Sequence, residues 1–253
     1  MSTEWYFAYG RIVDESGAPL VFPDAHPDSG DYVLVLNPSE EPAELSFTFY
    51  FEEGAPVRGM AKVGARRAAS LPLHVAFKHE LPWNRTYGCR VSSNVPIVCQ
   101  RTQGQWRPGD PVTEAMGSTM LYPGPLGAKE RQWSYADGII CLRDEHPLVE
   151  SEWVALLNPG TSEAHAQLTA YHAGDRDPTS WTVQVPPQQI HVIKLDDECW
   201  VVPYELFGII VRSDEPLVVE QIRKAYDRGD QQSPRSMFDV IPHAGALGGA
   251  LDG

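Results

Sequence analysis

Two polar side chains lie at matching places on two predicted strands, and each follows an apolar residue on its own face. Alternation puts Val98 and Gln100 on one face of the first strand, and Val218, Glu220 and Ile222 on the same face of the second. A carboxylate between apolar neighbours is costly unless it is hydrogen-bonded or lies in a polar cavity. Gln100 and Glu220 are therefore predicted to be partly withdrawn from solvent, either as ligand-binding residues or as structural hydrogen-bond partners.

Two tryptophans form a second candidate site, because each is followed four residues later by a polar side chain. Trp5 precedes Tyr9, and Trp133 precedes Asp137. Flat aromatic faces stack on sugar rings, while neighbouring carboxylates and hydroxyls bind the sugar hydroxyl groups. The alternative is that both tryptophans are core residues of a β-sheet protein.

A basic pair, Arg66 and Arg67, could hold an anion, and Arg67 is included among the candidate ligand-binding residues. The case for an enzyme is weaker. No nucleophile-elbow, P-loop or dinucleotide motif is present, and the histidines and cysteines lack metal-ligand spacing, so no metal and no cofactor are expected. A carbohydrate-active enzyme that uses Glu220 with Asp137 remains the catalytic alternative.

These candidates belong to a sequence that repeats itself. Leu36-Asn37-Pro38 recurs as Leu157-Asn158-Pro159, the proline of Val95-Pro96-Ile97-Val98 recurs as Pro216, and the segment that opens with Trp5 recurs at Trp133. The offsets are 121, 120 and 128 residues, which indicates a tandem duplication of one small domain. We expect a first domain over residues 1–122, a Pro/Gly-rich linker over 123–130, a second domain over 131–243 and a flexible tail over 244–253.

The elements that position these residues are strands. Leu45, Phe47, Phe49 and Phe51 alternate with polar residues, a period of two that is typical of a half-buried strand. Further strands are predicted at residues 5–13, 32–36, 66–75, 87–91, 97–102 and 118–122, and at 133–142, 153–157, 164–172, 188–195, 207–211, 217–222 and 236–241. Since sheets with one apolar face must cover each other, the predicted fold class is all-β, with two tandem β-sandwich domains related by internal duplication.

Charge limits the classes of partner. The formal net charge of -14 is uneven, at -4 for the first copy and -10 for the remainder of the chain. Such a chain disfavours nucleic acid and anionic membranes. No apolar run is long enough to cross a membrane and the N-terminus does not resemble a signal peptide, so we expect a cytoplasmic protein whose four cysteines are free thiols.

The repeated blocks resemble the soluble sensory rhodopsin transducer family of small bacterial β-sandwich domains. The resemblance rests on Trp5, Ala8 and Gly10, on the Leu-Asn-Pro strand end, on Ala65-Arg66-Arg67 and on the run from Ser93 to Gln100. Tyr9 replaces an acid of the family pattern, and the second copy keeps this acid as Asp137. The second copy departs elsewhere, with Gln188-Gln189 in place of the arginines and Glu220 in place of Gln100.

The resemblance implies a binding or signalling domain that holds a small polar ligand, with a sugar as one candidate, rather than an enzyme. It also implies ring-like tetramers for single-domain relatives, so a homodimer of this chain would rebuild a ring of four domains. The competing interpretation is a signalling adaptor whose surfaces meet a protein partner. A large pocket that holds Gln100 or Glu220 would favour the ligand, and an exposed apolar patch would favour the adaptor.

Overall fold

A computed structural model gives the structure of residues 1–11, 29–82, 85–105, 115–120, 122–124, 126–140, 148–195, 201, 205–227, 230–240 and 243–244. The first copy contains β1 (Ser2–Arg11), β2 (Ser29–Asn37), β3 (Ala43–Phe51), β4 (Val57–Val63), β5 (Arg67–Pro72), a short helix α1 (Leu73–Ala76), β6 (Thr86–Gln105), β7 (Ala115–Met120) and β8 (Tyr122–Pro123). A 3-10 turn over Ala128–Arg131 follows. The second copy contains β9 (Gln132–Gly138), β10 (Leu148–Asn158), β11 (Ala164–His172), β12 (Thr179–Val185), β13 (Gln189–Lys194), β14 (Phe207–Ser213), β15 (Val218–Asp227), β16 (Asp230–Val240) and β17 (His243–Ala244).

The two copies have the same strand order, which confirms the predicted fold class. One sheet of the first copy runs β4-β3-β6-β1-β8, and its counterpart in the second copy runs β12-β11-β14-β9-β17. The other sheet places β5, β2, the far end of β6 and β7 side by side, as β13-β10-β15-β16 are placed in the second copy. In the described part of the chain the strand pairings are antiparallel. Each copy buries apolar side chains from both of its sheets in one core, so each copy is a sandwich of two sheets.

Strand β6 belongs to both sheets of the first copy. Its first half pairs with β3 as far as Ser93, and its second half pairs with β2 from Val98 onward. The sequence predicted two strands here, whereas one strand crosses between the sheets at Pro96 without a break. In the second copy the corresponding path is divided into β14 and β15 by the turn over residues 214–217. Cys89 and Cys99 are both buried free thiols. Because both lie on β6, they do not face each other across a hairpin.

Two strands that were not predicted, β4 and β12, are the edge strands of equivalent sheets. In β4 the apolar alternation is interrupted by Gly59, where an added Cβ would lie 2.3 Å from the ring of Phe77. The aromatic ring fills the space that a side chain would occupy, so the pattern on the strand is incomplete. The predicted strand over 66–75 also ends early, because β5 stops at Pro72 and α1 follows.

The Asn-Pro motif has the same structural role in both copies. The Asn37 amide donates to the carbonyls of Glu41 (2.8 Å) and Gly64 (3.0 Å), and its Oδ1 accepts the N–H of Ser39. Asn158 makes the equivalent bonds to Ser162, Val185 and Gly160. Both side chains are buried, so each fastens the end of a strand in one sheet to a loop from the other.

The cores of the two copies differ in the size of their side chains. The first copy packs Phe47, Phe49 and Phe77 against one another, whereas β11 contributes Ala166, Leu168 and Ala170 to the second core. The core cluster of the second copy also includes four residues of the first copy, Tyr6, Ala8, Tyr9 and Tyr50. Among the described residues, no helix is long and apolar enough to span a membrane.

Candidate functional site

The two copies meet through different faces. The first copy presents Tyr6, Ala8, Tyr9 and Tyr50, which we call the β1 face, and all four are buried in the core cluster of the second copy. The second copy presents the outward side chains of β10, β13 and β15, which we call the β10 face and which comprises Ala155, Leu157, Ile190, Val218 and Glu220. The contact is close, because a Cβ on Gly88 of β6 would lie 2.8 Å from Ile190 and 3.3 Å from Leu157.

Glu220 is a buried polar residue of this contact, and only 6% of it is exposed. Its Oε2 accepts the backbone N–H of Tyr9 at 2.9 Å and lies 3.9 Å from Nη1 of Arg101. The register of β1 against β6 shifts between Phe7 and Gly10, as expected for a β-bulge. A bulge leaves one residue unpaired in the ladder, so Glu220 satisfies a donor of the first copy that the sheet does not use.

Arg101 lies inside the first copy and is fully buried. Its Nη2 is 3.2 Å from Oδ1 of Asp31, and its guanidinium carbon is 4.7 Å from the centre of the Phe7 ring. Asp31 also accepts the N–H of Arg11 at 3.1 Å and the hydroxyl of Tyr87. A buried cation therefore lies between a carboxylate of its own copy and a carboxylate of the other copy.

The second copy has a related cluster at the equivalent place. Glu152 is fully buried and accepts the N–H of Ile139 at 2.7 Å, the Nε of Arg223 at 2.9 Å and the amide of Gln221. Burial raises the pKa of Glu152, and these three donors oppose that shift. Arg223 also binds Asp137, at 2.9 Å through the carbonyl and at 3.1 Å through Oδ1.

Sequence reasoning missed Asp31 and Glu152, although a signal was present. Each acid precedes an aromatic residue near the predicted start of a strand, and the two are 121 residues apart, which is the offset of the Asn-Pro motif. Arg101 carried a weaker signal, as a charged residue on the face that also carries Ile97 and Cys99.

The two tryptophans lie in the cores. Trp5 is 2% exposed and its indole N–H donates to the Ser2 carbonyl at 3.1 Å. Trp133 is 1% exposed and donates to the carbonyls of Glu130 and Leu217, both at 3.0 Å. The polar residues that follow them diverge, because Tyr9 is buried in the contact between the copies while the side chain of Asp137 is 66% exposed.

Arg66 lies in the turn between β4 and β5, and Arg67 is the first residue of β5. Arg66 has a φ of 51°, as its counterpart Gln188 has a φ of 57°, and the Arg66 side chain pairs with Glu40 at the surface. Arg67 is exposed, and its guanidinium donates to the Arg66 carbonyl at 3.3 Å. The acidic run over residues 196–198 and the cysteines Cys141 and Cys199 lie outside the described residues.

Gln100 is exposed, so the expectation that it is withdrawn from solvent is wrong within a single chain. It lies beside Leu34 and Leu36, which are 38% and 47% exposed. These residues define the β2 face of the first copy, the equivalent of the β10 face. Gln100 and Glu220 thus occupy matching positions, and only Glu220 is covered by a neighbouring domain.

A cleft of about 290 Å³ opens beside the contact between the copies. The first copy contributes Tyr6 and Arg90, and the second contributes the turn over residues 158–162 together with Glu215 and Pro216. Leu126 closes one side. Neither Gln100 nor Glu220 lines this cleft.

Comparison with known proteins places the chain in a family. The family model of the Anabaena sensory rhodopsin transducer matches residues 2–122 and again residues 128–237. The crystal structure of Thermotoga maritima 1070 is similar, with 22% identity and a TM-score of 0.40, over 49% of this chain and 95% of that one. The Anabaena sensory rhodopsin transducer has 27% identity and a TM-score of 0.34, over 40% of this chain and 87% of that one. None of the curated proteins matches the sequence. The chain belongs to the Anabaena sensory rhodopsin transducer family, and it carries the family domain twice.

Proposed function

We propose that this protein is a non-enzymatic signalling or adaptor protein that acts through protein contacts made by its sheet faces. The observation that carries the proposal is the exposed β2 face, where Leu34 and Leu36 face solvent while their counterparts Ala155 and Leu157 are buried against another domain. An apolar patch at a position that is otherwise an interface is typical of an interaction surface. Membership of a transducer family supports the same role.

The partner that fits the β2 face best is another molecule of this protein. The second domain of each chain also has an exposed face, which we call the β9 face. It comprises the counterparts of the β1 face, namely Ser134, Ala136, Asp137 and Tyr171. Tyr171 is 42% exposed, whereas its counterpart Tyr50 is buried. The contact inside the chain joins two different faces, and a contact of that type closes into a ring or extends into a filament. We propose a homodimer in which two β9-to-β2 contacts complete a ring of four domains.

Light scattering tests this proposal. We expect a mass near two chains, and Leu36→Glu should reduce it to one chain because the substitution puts a charge into the contact. Met60→Glu is the matched control, since Met60 is 70% exposed on β4, outside both faces. A mass near one chain over a wide concentration range would exclude the ring, and a mass that grows without limit would indicate a filament.

A small polar ligand is the second candidate function, and the cleft beside the domain contact favours it. Its lining combines the Arg90 and Glu215 side chains with the hydroxyl-bearing residues Thr161 and Ser162, groups that suit a neutral polyol such as a sugar. A thermal-shift screen of sugars tests this candidate, since a ligand bound by the folded state raises its stability. Thr161→Trp should abolish the shift, and Thr182→Trp, at an exposed position on β12, should not.

The predicted binding residues divide between these roles. We assign Tyr9, Gln100, Asp137 and Glu220 to domain contacts, and Trp5 and Trp133 to the cores. Arg67 keeps the proposed anion-binding role. The catalytic alternative has weaker support, because Glu220 and Asp137 lie on opposite sides of β15: the neighbouring Gln221 side chain binds the Asp137 carbonyl, and successive side chains of a strand point in opposite directions.

A further inference from the structure

We infer that the residues at positions 9, 100, 137 and 220 specify the order in which domains meet, so that a first-copy domain docks only on a second-copy domain. This inference rests on the homodimer proposed above. It assigns these side chains to partner selection, in addition to the apolar area that drives association.

Inside the chain, the two positions at the contact are complementary. Glu220 of the β10 face meets the bulge at Tyr9, where its carboxylate accepts the N–H at 2.9 Å. The guanidinium of Arg101 is 3.9 Å from the same oxygen. A buried carboxylate is tolerated when it has a hydrogen bond and a positive neighbour, and this contact supplies both.

At the second contact every one of these residues is different. The β9 face has an equivalent register shift between Phe207 and Ile209, and Asp137 occupies the position of Tyr9. Gln221 replaces Arg101, and the β2 face offers Gln100 in place of Glu220. Gln100 can accept the N–H at the bulge through its oxygen and donate to the partner's Asp137 through its amide. A neutral amide therefore faces an acid that already pairs with Arg223 of its own domain at 3.1 Å, so this contact needs no counterpart of Arg101.

The two incorrect pairings are disfavoured. If the contact inside the chain opened and two second-copy domains met, Glu220 would face Asp137 with Gln221 in the place of Arg101. The nearby cation Arg223 already pairs with Asp137 and Glu152, so two carboxylates would approach without a cation of their own. If two first-copy domains met, Gln100 would face Tyr9 and the Arg101 guanidinium would lose its second carboxylate. Unfavourable contacts in the wrong complex are a general source of specificity. The pairs Glu220–Tyr9 and Gln100–Asp137 thus favour the alternating order around the ring.

The test uses the full chain and sedimentation velocity. Gln100→Glu puts a carboxylate opposite the partner's Asp137, and we expect the dissociation constant of the dimer to rise at least about tenfold. The effect should shrink as salt is added, because salt screens like charges at a partly exposed contact. Adding Asp137→Asn to the same chain should restore the dimer. Gln184→Glu, which adds the same charge at an exposed position of β12, should leave it unchanged.

The outcomes separate this inference from the proposal on which it rests. A wild-type chain that stays monomeric overturns the homodimer, and the inference with it. A dimer that tolerates Gln100→Glu overturns the inference alone, as does a Gln100→Glu defect that Asp137→Asn does not rescue. Because Gln100 is exposed, Gln100→Glu and Gln184→Glu should have equal thermal midpoints at a concentration well below the dissociation constant of the wild-type dimer, where both variants are monomers and association adds no stability. This equality excludes misfolding as the cause.

Discussion

The Glu220 carboxylate accepts the backbone N–H of Tyr9 at 2.9 Å, although the two residues are 211 positions apart and belong to different copies of one repeat. This bond joins a strand of one domain to a bulge of the other. The nearby Arg101 supplies the opposite charge, and Asp31 holds Arg101 from within its own domain. The contact between the copies therefore combines a buried polar bond with apolar side chains from both domains.

Replacing Glu220 should weaken the joining of the two domains. We expect Glu220→Ala to destabilise the protein by about 2–4 kcal/mol, because the Tyr9 N–H loses its acceptor and the buried Arg101 guanidinium loses one of its two carboxylates. Glu220→Gln should cost less, since its oxygen can still accept the N–H. Urea denaturation measures both, and Glu41→Gln at an exposed position should change stability by less than about 0.5 kcal/mol. Equal effects of all three variants would contradict this role.

Gly88 should tolerate no side chain. A Cβ at this position would lie 2.8 Å from Ile190 of the other copy and 3.3 Å from the Ala8 carbonyl, so Gly88→Ala must separate the domains or displace β1. Overpacking of this kind costs about 1–3 kcal/mol. Gly64→Ala is the control, because there the nearest atom is Cγ of the Arg67 side chain, at 3.4 Å. A thermal midpoint unchanged by Gly88→Ala would show that the copies are not in close contact.

Asn37→Ala and Asn158→Ala should destabilise their domains to a similar extent. Each removes a buried amide that donates to at least two carbonyls and accepts one N–H, and groups left unsatisfied in this way cost about 1–3 kcal/mol. The two sites share no hydrogen-bond partner, so the double variant should lose the sum of the single effects. A large loss at one site with none at the other would show that the motif is not equivalent in the two copies.

His74 should make stability depend on pH. It is 2% exposed and packs edge-on against Tyr32 at 5.5 Å, and burial lowers its pKa, although Asp31 opposes this shift. The unfolded chain then binds the proton more readily, so the contribution of His74 is complete above the unfolded pKa of about 6.5 and is lost as pH falls below it.

The measurement is the urea midpoint of the wild type and of His74→Gln between pH 5 and pH 8. The variant should show a flatter dependence at the acidic end, whatever its absolute stability, because a glutamine does not titrate. His165→Gln serves as the comparison, since His165 is exposed beside Asp214. Parallel pH profiles for the wild type and His74→Gln would refute the assignment.

The sequence by itself determined the duplication and the fold class. Alternation in β3 and β11 follows from the two-residue period of a strand, and it needs no knowledge of distant contacts. The Asn-Pro motif is equally local, because the Asn37 Oδ1 binds an N–H two residues away. The bounds of β4 were not available in this way, because Gly59 breaks the pattern where the ring of Phe77 fills the space. In β12, by contrast, Trp181, Val183 and Val185 alternate with polar residues, so a local signal was present.

Only the tertiary structure decided which polar residues are buried and what they bind. Gln100 and Glu220 have the same strand position and similar neighbours, yet one is exposed and the other is held between a bulge and an arginine. Leu36 and Leu157 differ in the same way, although each lies directly before the Asn-Pro motif of its own copy. The reason is physical: burial depends on what covers a face, and the domain that covers Glu220 and Leu157 comes from a segment of the chain more than a hundred residues away.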